Sequence, residues 1–246
     1  MFYIERFKKR IRIKEVWFST NPSEIDDCDV VIFNQLSKPY GRVFRESDTQ
    51  IINLFNSEEA IVNEFSKTTK YEIRKSSNLN MFSVIKDSDQ LSEQELSSMI
   101  DEYYIFLNEK HLPLTNKQEL LSSIFLYRNK RALTVSYGFY EGNCLCWHVY
   151  IHDDTTTRLL YSFSHFRSND FPKNYYSILN RRMHFDDIKY FKDKGLNIYD
   201  WGGIGNDGQF KTISQFKTGF GGYSTHVYYC VKGKTFIGKI ASMFKK

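Results

Sequence analysis

Long apolar runs are missing from this 246-residue chain. Its apolar stretches, such as Val30 to Phe33, are strand-sized, well short of the roughly eighteen residues that a membrane-crossing helix needs. Phe2 to Lys14 is interrupted by charge throughout, so no secretory leader is read there. Cysteine is scarce as well. Cys28, Cys144, Cys146 and Cys230 are the whole complement, and Cys144-x-Cys146 sits in an alternating apolar run rather than at a metal-knuckle spacing. All four read as buried thiols of a reducing compartment, and no metal is expected. With 4 prolines and 13 glycines there is no linker, internal repeat or low-complexity tract. What is present is 41% apolar and 17% aromatic, enough for one large domain or one domain with a small appendage. A soluble, cytoplasmic protein is the expectation.

Charge is unevenly spread. The net is +5, but residues 1–15 carry +4 and residues 232–246 carry +5, which leaves the body at −4. The body is therefore not a basic nucleic-acid binder. Both ends could make weak contact with an anionic membrane surface, and Phe236, Ile237, Ile240, Met243 and Phe244 alternate with lysines as an interfacial helix does. A solvated terminal helix packed on its own domain is the other reading.

Turn signals divide the chain. Residues 1–56, with short apolar stretches Val16 to Phe18 and Val30 to Leu36 between turn-rich segments, form a small β-containing lead-in. Ser57 opens a helix whose Ile61, Phe65, Thr69 and Ile73 recur at helical spacing as far as Arg74-Lys75. Met81 to Lys86 is a short strand. Two capping boxes follow, Ser92-x-x-Glu95 and Thr115-x-x-Gln118, each opening a helix with an apolar stripe. Three strands then run as a meander, Ala132 to Glu141, Cys144 to His152 and Arg158 to Phe166. A long helix from Lys173 to Lys194 stops at Gly195, and a strand from Asn197 to Trp201 comes next. A glycine-rich bend, a short helix around Ser214 to Thr218 and a last strand, Thr225 to Val231, precede a basic C-terminal helix in 232–246. This is an α/β order. The crossover through the long helix should set two strands side by side and parallel, with a cleft where their ends diverge.

Three stretches carry a family resemblance: Tyr71-Glu72-Ile73-Arg74-Lys75-Ser76, Gly195-Leu196-Asn197-Ile198-Tyr199-Asp200-Trp201-Gly202-Gly203, and Gln215-Phe216-Lys217-Thr218-Gly219-Phe220-Gly221-Gly222. In this order and at these separations they resemble the Fem-type branch of the GNAT acyltransferases, over roughly residues 57–231. The resemblance implies a GNAT-like mixed sheet, an antiparallel meander plus a parallel splayed pair, flanked by helices. Two departures stand out. Fem-type peptidyltransferases usually contain two such halves, and this chain has room for one copy and a fragment. GNAT enzymes also hold the coenzyme A pyrophosphate on a glycine-rich loop after the third meander strand. Here that loop reads Arg167-Ser168-Asn169-Asp170-Phe171-Pro172-Lys173-Asn174-Tyr175, without glycine.

Direct acyl transfer to an amine needs no acyl-enzyme, and the chain has no Gly-x-Ser-x-Gly elbow. It does need a neutral amine, donors for the oxyanion and a proton for the leaving group. His148 shares a strand face with Cys146 and Tyr150 and is either a base facing a cleft or a hydrogen-bonded core residue. His165, at the end of the third meander strand, is a second candidate base or a surface residue. Asp200 either orients the amine or caps the Gly202-Gly203 backbone. By resemblance Lys217 lies near the acyl donor, where its ammonium would offset developing negative charge; a solvated lysine is the alternative. Arg167, Ser168, Asn169, Lys173 and Asn174, with Phe216, are the candidates for holding coenzyme A. Arg74 and Lys75 are candidates for a nucleotide diphosphate, Trp201 and Tyr223 for stacking on a base or sugar, and Gly202 and Gly203 for close backbone approach.

The resemblance implies an N-acyltransferase that takes acyl-coenzyme A and the amine of a nucleotide-linked amino sugar for a surface polysaccharide. An aminoacyl-tRNA-dependent transferase acting on a peptidoglycan precursor and a catalytically silent GNAT-like binding module are the alternatives.

Overall fold

A tight hairpin opens the chain: β1 (Phe2–Lys8) and β2 (Ile11–Trp17) pair antiparallel, with Arg6 opposite Ile13. The computed structural model describes residues 1–167, 170–205 and 208–244. β3 (Val30–Leu36) runs parallel to β2, and β4 (Arg42–Asn53) follows. Two helices come next where the periodicity predicts one. α1 (Glu58–Glu64) is capped by the Ser57 hydroxyl, which accepts from the Ala60 N–H. α2 (Lys67–Asn78) is capped by Ser66, which accepts from the Thr69 N–H. Phe65 between them is extended and buried, so a second serine cap splits a helical spacing that is continuous across it.

β5 (Phe82–Asp87) leads to α3 (Glu93–Glu109) and α4 (Lys117–Asn129). Ser92 caps α3 through the Glu95 N–H, but the Glu95 carboxylate pairs with Lys86 at 2.9 Å instead of reaching back. The cap of α4 is Asn116 rather than Thr115, because the Asn116 amide oxygen accepts from both the Gln118 and Glu119 N–H groups.

The meander is β6 (Leu133–Tyr140), β7 (Asn143–His152) and β8 (Thr156–Ser164), all antiparallel. α5 (Lys173–Asp193) ends as expected at Gly195, whose φ is +85°. The Gly195 and Leu196 N–H groups bond back to the Lys192 and Phe191 carbonyls, the pattern that stops a helix and turns the chain into a strand. That strand, β9 (Ile198–Ile204), runs past the expected end at Trp201. α6 (Gly208–Thr218) begins at Gly208 rather than near Ser214. β10 (Tyr223–Gly233) and α7 (Phe236–Met243) complete the chain.

The residues gather into two compact units. Unit 1 holds Met1–Ile51, Gly203–Gln215 and Tyr223–Lys246, with strand order β1-β2-β3-β10-β4. Val16, Val31, Phe33, Leu36 and Cys230 form its core. Unit 2 holds Ile52–Gly202 and Phe216–Gly222, with strand order β9-β8-β7-β6-β5. Its meander and its parallel β8–β9 pair, joined through α5, are the expected GNAT-like order. Along β7 the side chains alternate: Cys146, His148 and Tyr150 meet α5, while Trp147 stacks on Phe163, which in turn meets Tyr103 and Phe106 of α3. Among the described residues no helix is long and apolar enough to cross a membrane.

Candidate functional site

The parallel ladder between β8 and β9 is short. It pairs Thr156 with Ile198, Thr157 with Tyr199 and Arg158 with Asp200, and there it ends. β8 continues to Ser164 beside β7, while β9 bends at Gly202, whose φ is +76°. A Cβ on Gly202 would stand 3.2 Å from the Leu159 carbonyl oxygen and 3.7 Å from the Arg158 guanidinium. Glycine is thus what lets the strand turn this close to its neighbour.

An ion pair sits at this fork. Arg158 donates to Asp200 Oδ2 at 2.9 Å, and the Gly202 N–H donates to Oδ1 of the same carboxylate at 2.8 Å. Asp200 is 2% exposed and Arg158 8%. At such burial each charge depends on the other, because an uncompensated ion inside a protein costs several kcal/mol. Capping of the Gly202 backbone, the alternative weighed for Asp200, is what the carboxylate does here. Lys217, in the last turn of α6, joins the pair: burial and the Arg158 charge push its ammonium down from 10.5 to about 8, against the pull of Asp200. Next to it, the Phe216 ring lies under the Arg181 guanidinium at 4.7 Å. Arg181 in turn donates to Glu72 at 2.7 Å and to the Ser177 hydroxyl at 2.6 Å, tying α2 to α5.

His148 belongs to a different cluster. It is completely buried, with Nδ1 2.7 Å from Asp187 Oδ2 and Nε2 2.6 Å from Asn180 Oδ1. The Tyr150 hydroxyl donates to the same Asp187 oxygen at 2.7 Å and lies 2.7 Å from the Tyr199 hydroxyl, which is 2.9 Å from His184 Nδ1. His184 stacks on His148 at 3.9 Å. Burial, then the neighbouring His148, Lys217 and Arg181, hold His184 well below its ordinary pKa, and burial with Asp187 nearby holds Tyr150 and Tyr199 well above theirs. His148 therefore faces α5 and not an opening, and the core alternative describes its surroundings. His148, His184 and Asp187 present ligand atoms within 4.8 Å of one another. A cation there would have to displace the hydrogen bonds that now join them.

The other expected residues are dispersed. Trp201 is buried, its ring against Phe220 at 4.7 Å and His184 at 4.3 Å, so its faces are already covered. Its indole N–H finds no hydrogen-bond partner among the described residues. Gly203 and Tyr223 fall in unit 1, where Tyr223 is exposed and pairs with Ile51. Arg74 and Lys75 line a depression of about 550 Å³ on α2, with Tyr71, Asn78 and Leu79. Arg167, Lys173 and Asn174 are exposed, the last two in the first turn of α5. Ser168 and Asn169 lie outside the described residues. His165 is held edge-on against Trp147, with Nε2 3.4 Å from Glu102.

Sequence reasoning missed Arg158, Arg181 and the partners of His148. One signal was available: Asn180, His184 and Asp187 recur at i, i+4 and i+7, a polar stripe along one face of α5. Arg158 gave none beyond being a charge inside an apolar strand.

No protein-family profile matches this chain, and no curated protein sequence does. Solved structures do. The chain is similar to FemX, with a TM-score of 0.64 at 10% identity over 92% of this chain and 83% of that one. It is similar to a C-terminal domain from Agrobacterium fabrum assigned to lysylphosphatidylglycerol synthetase, with a TM-score of 0.54 at 11% identity over 98% and 83% of the two chains. L-PGS from Bacillus licheniformis matches with a TM-score of 0.50 at 11% identity over 87% and 71%. At these identities the likeness shows the fold.

Proposed function

We propose that the chain is an N-acyltransferase and that the fork of β8 and β9 seats the acyl donor. The observation that carries this reading is Lys217, a lysine in the electrostatic field of the buried Arg158–Asp200 pair at the end of the β8–β9 ladder, its pKa lowered to about 8 chiefly by burial. An ammonium so placed offsets negative charge on a thioester oxygen as the amine attacks, and it needs no reorganisation to do so. The acceptor nitrogen forms a bond to the acyl carbon, the carbon–sulfur bond breaks, and the proton that the nitrogen gives up ends on the departing sulfur, so that the donor leaves as free thiol beside the ammonium. Arg158 and Asp200 act as positioning residues: they fix the bend at Gly202 and set the charge around Lys217. His148 has no direct part.

The donor in this reading is an acyl-coenzyme A. Its phosphates would be met by the exposed Lys173 and Asn174 at the start of α5, where backbone N–H groups point out of the helix, and by the exposed Arg167, with Ser168 and Asn169, which lie outside the described residues, as the further candidates from the sequence. Phe216 would flank the donor. The acceptor is the amine of a nucleotide-linked amino sugar, with Arg74 and Lys75 at their depression suited to a diphosphate. Fold likeness to FemX and to a domain assigned to lysylphosphatidylglycerol synthetase supports acyl transfer in general.

The test is release of free thiol from acetyl-coenzyme A in the presence of amino sugar nucleotides. Thiol release that depends on both substrates supports the reading. Retention of aminoacyl-tRNA with steep salt dependence, and no thiol release, would replace it with the tRNA-dependent alternative.

A further inference from the structure

α7 is amphipathic, and it is docked on its apolar-poor side. At 100° per residue, Phe236, Ile237, Ile240, Met243 and Phe244 occupy one arc of about 120°. Gly238, Ala241 and Ser242 occupy the opposite arc. In a helix packed on its own domain the first arc would be covered. Here Phe236 is 78% exposed, Met243 71% and Phe244 80%, and Ile237 and Ile240 are exposed as well. The small-residue arc is the one that faces unit 1. Gly238 is buried so tightly that a Cβ would meet the Asp29 carbonyl oxygen at 1.8 Å, and a Cβ on Gly233 would meet the Lys239 backbone at 2.3 Å. The Thr235 hydroxyl caps α7 and donates to Asp29 at 2.7 Å, and Arg42 donates to the Ser242 carbonyl at 2.6 Å. These contacts hold the helix in place and turn its apolar arc outward.

Strand register brings positive charge to the same end of this unit. Gly233 of β10 pairs with Val30 of β3, Val30 pairs with Ile13 of β2, and Ile13 pairs with Arg6 of β1. Just beyond Arg6 and Ile13 the β1–β2 hairpin turns through Lys8, Lys9 and Arg10, all exposed. Just beyond Gly233 the chain enters α7 with its exposed Lys239. The nearby acids are engaged: Asp26 pairs with Lys234 at 2.7 Å, Asp27 pairs with Arg12, and Asp29 accepts from the Arg12 N–H and from Thr235. A second copy meeting this end face to face would bring like charges together.

We infer that this end of unit 1 is a docking surface for an anionic lipid bilayer, with the apolar arc of α7 inserting at the level of the headgroups and the hairpin tip lying on the charged surface. The surface stands independently of the reaction at the fork, and its test needs no turnover. The full chain is co-sedimented with vesicles of phosphatidylcholine alone and with about one third phosphatidylglycerol. Binding only to the anionic vesicles is expected. A Phe236→Ser/Met243→Ser double variant should lose at least tenfold in vesicle affinity with its Tm unchanged, and a Lys8→Ala/Lys9→Ala/Arg10→Ala variant should lose affinity and salt dependence together. Equal binding to both vesicle types, no binding to either, or a wild-type dimer that the double variant makes monomeric would each overturn the proposal.

Discussion

The polar cluster around His148 and the polar cluster around Lys217 lie in the same unit, yet differ in what surrounds them. Around His148, two histidines, two tyrosines, an asparagine and an aspartate from β7, α5 and β9 are folded onto one another, and both nitrogens of His148 and both tyrosine hydroxyls meet a partner. Sealed, and satisfied except at Asp187 Oδ1, which is buried with no hydrogen-bond partner among the described residues, such a network specifies a core. Around Lys217 a partly buried ammonium feels the charges of Arg158 and Asp200, which pair with each other where the β8–β9 ladder ends. Its proton is held less tightly than a lysine's ordinarily is, beside a break in the sheet. The proposed reaction therefore belongs at the end of a strand ladder rather than at a histidine in the middle of one.

Mutation can break this contrast. The largest effect is expected from Asp187→Ala, which strips His148 and Tyr150 of a shared buried acceptor. A loss of about 3–5 kcal/mol in unfolding free energy is expected, read from denaturant midpoints, with turnover per folded molecule unchanged. Turnover abolished in well-folded protein would move the His148 cluster into the chemistry. Lys217→Ala should do the reverse: turnover falls by about 10²–10³-fold, while Tm shifts little, because burial already disfavours the charge that is removed. Gly202→Ala should cost about 1–2 kcal/mol by forcing a side chain into left-handed backbone and should raise KM for the donor, since the bend at the fork relaxes. The smallest effect concerns pH. His184 in the folded protein refuses a proton that the unfolded chain accepts near its ordinary pKa, so stability is lost as pH falls below about 6.5. Thermal melts between about pH 6.5 and 5 should show this slope, and His184→Gln should reduce it to the part due to His152, whose burial lowers its pKa to about 4.

Much of the fold was legible because its signals are local. The meander, the α5 crossover and the Gly195 stop follow from alternation, helical spacing and one glycine, and the structure keeps them nearly to the residue. Where two local signals competed, the sequence misled: Ser66 caps a second helix inside a continuous stripe, and Asn116 displaces Thr115 because it reaches two N–H groups. The site was only partly legible. Lys217 and Asp200 came through the resemblance, but Arg158, which pairs with Asp200 and adds to burial in lowering the Lys217 pKa, is recognised only when β8 lies beside β9. The outward face of α7 was equally hidden, because the same helical stripe describes a helix packed on its domain and one turned away from it. Gly238 and Gly233 decide between them through backbone contacts that no periodicity encodes.

In the proposed reaction the Lys217 ammonium acts on the acyl donor. Its most direct test is the pH dependence of thiol release from acetyl-coenzyme A with an amino sugar nucleotide, in the wild type and in Lys217→Arg. The wild-type rate divided by that of the arginine variant should fall as pH rises through about 8 and the ammonium loses its proton, because the guanidinium stays charged and the acceptor amine's own deprotonation is common to both. A ratio that stays level through that range would remove the Lys217 charge from the reaction.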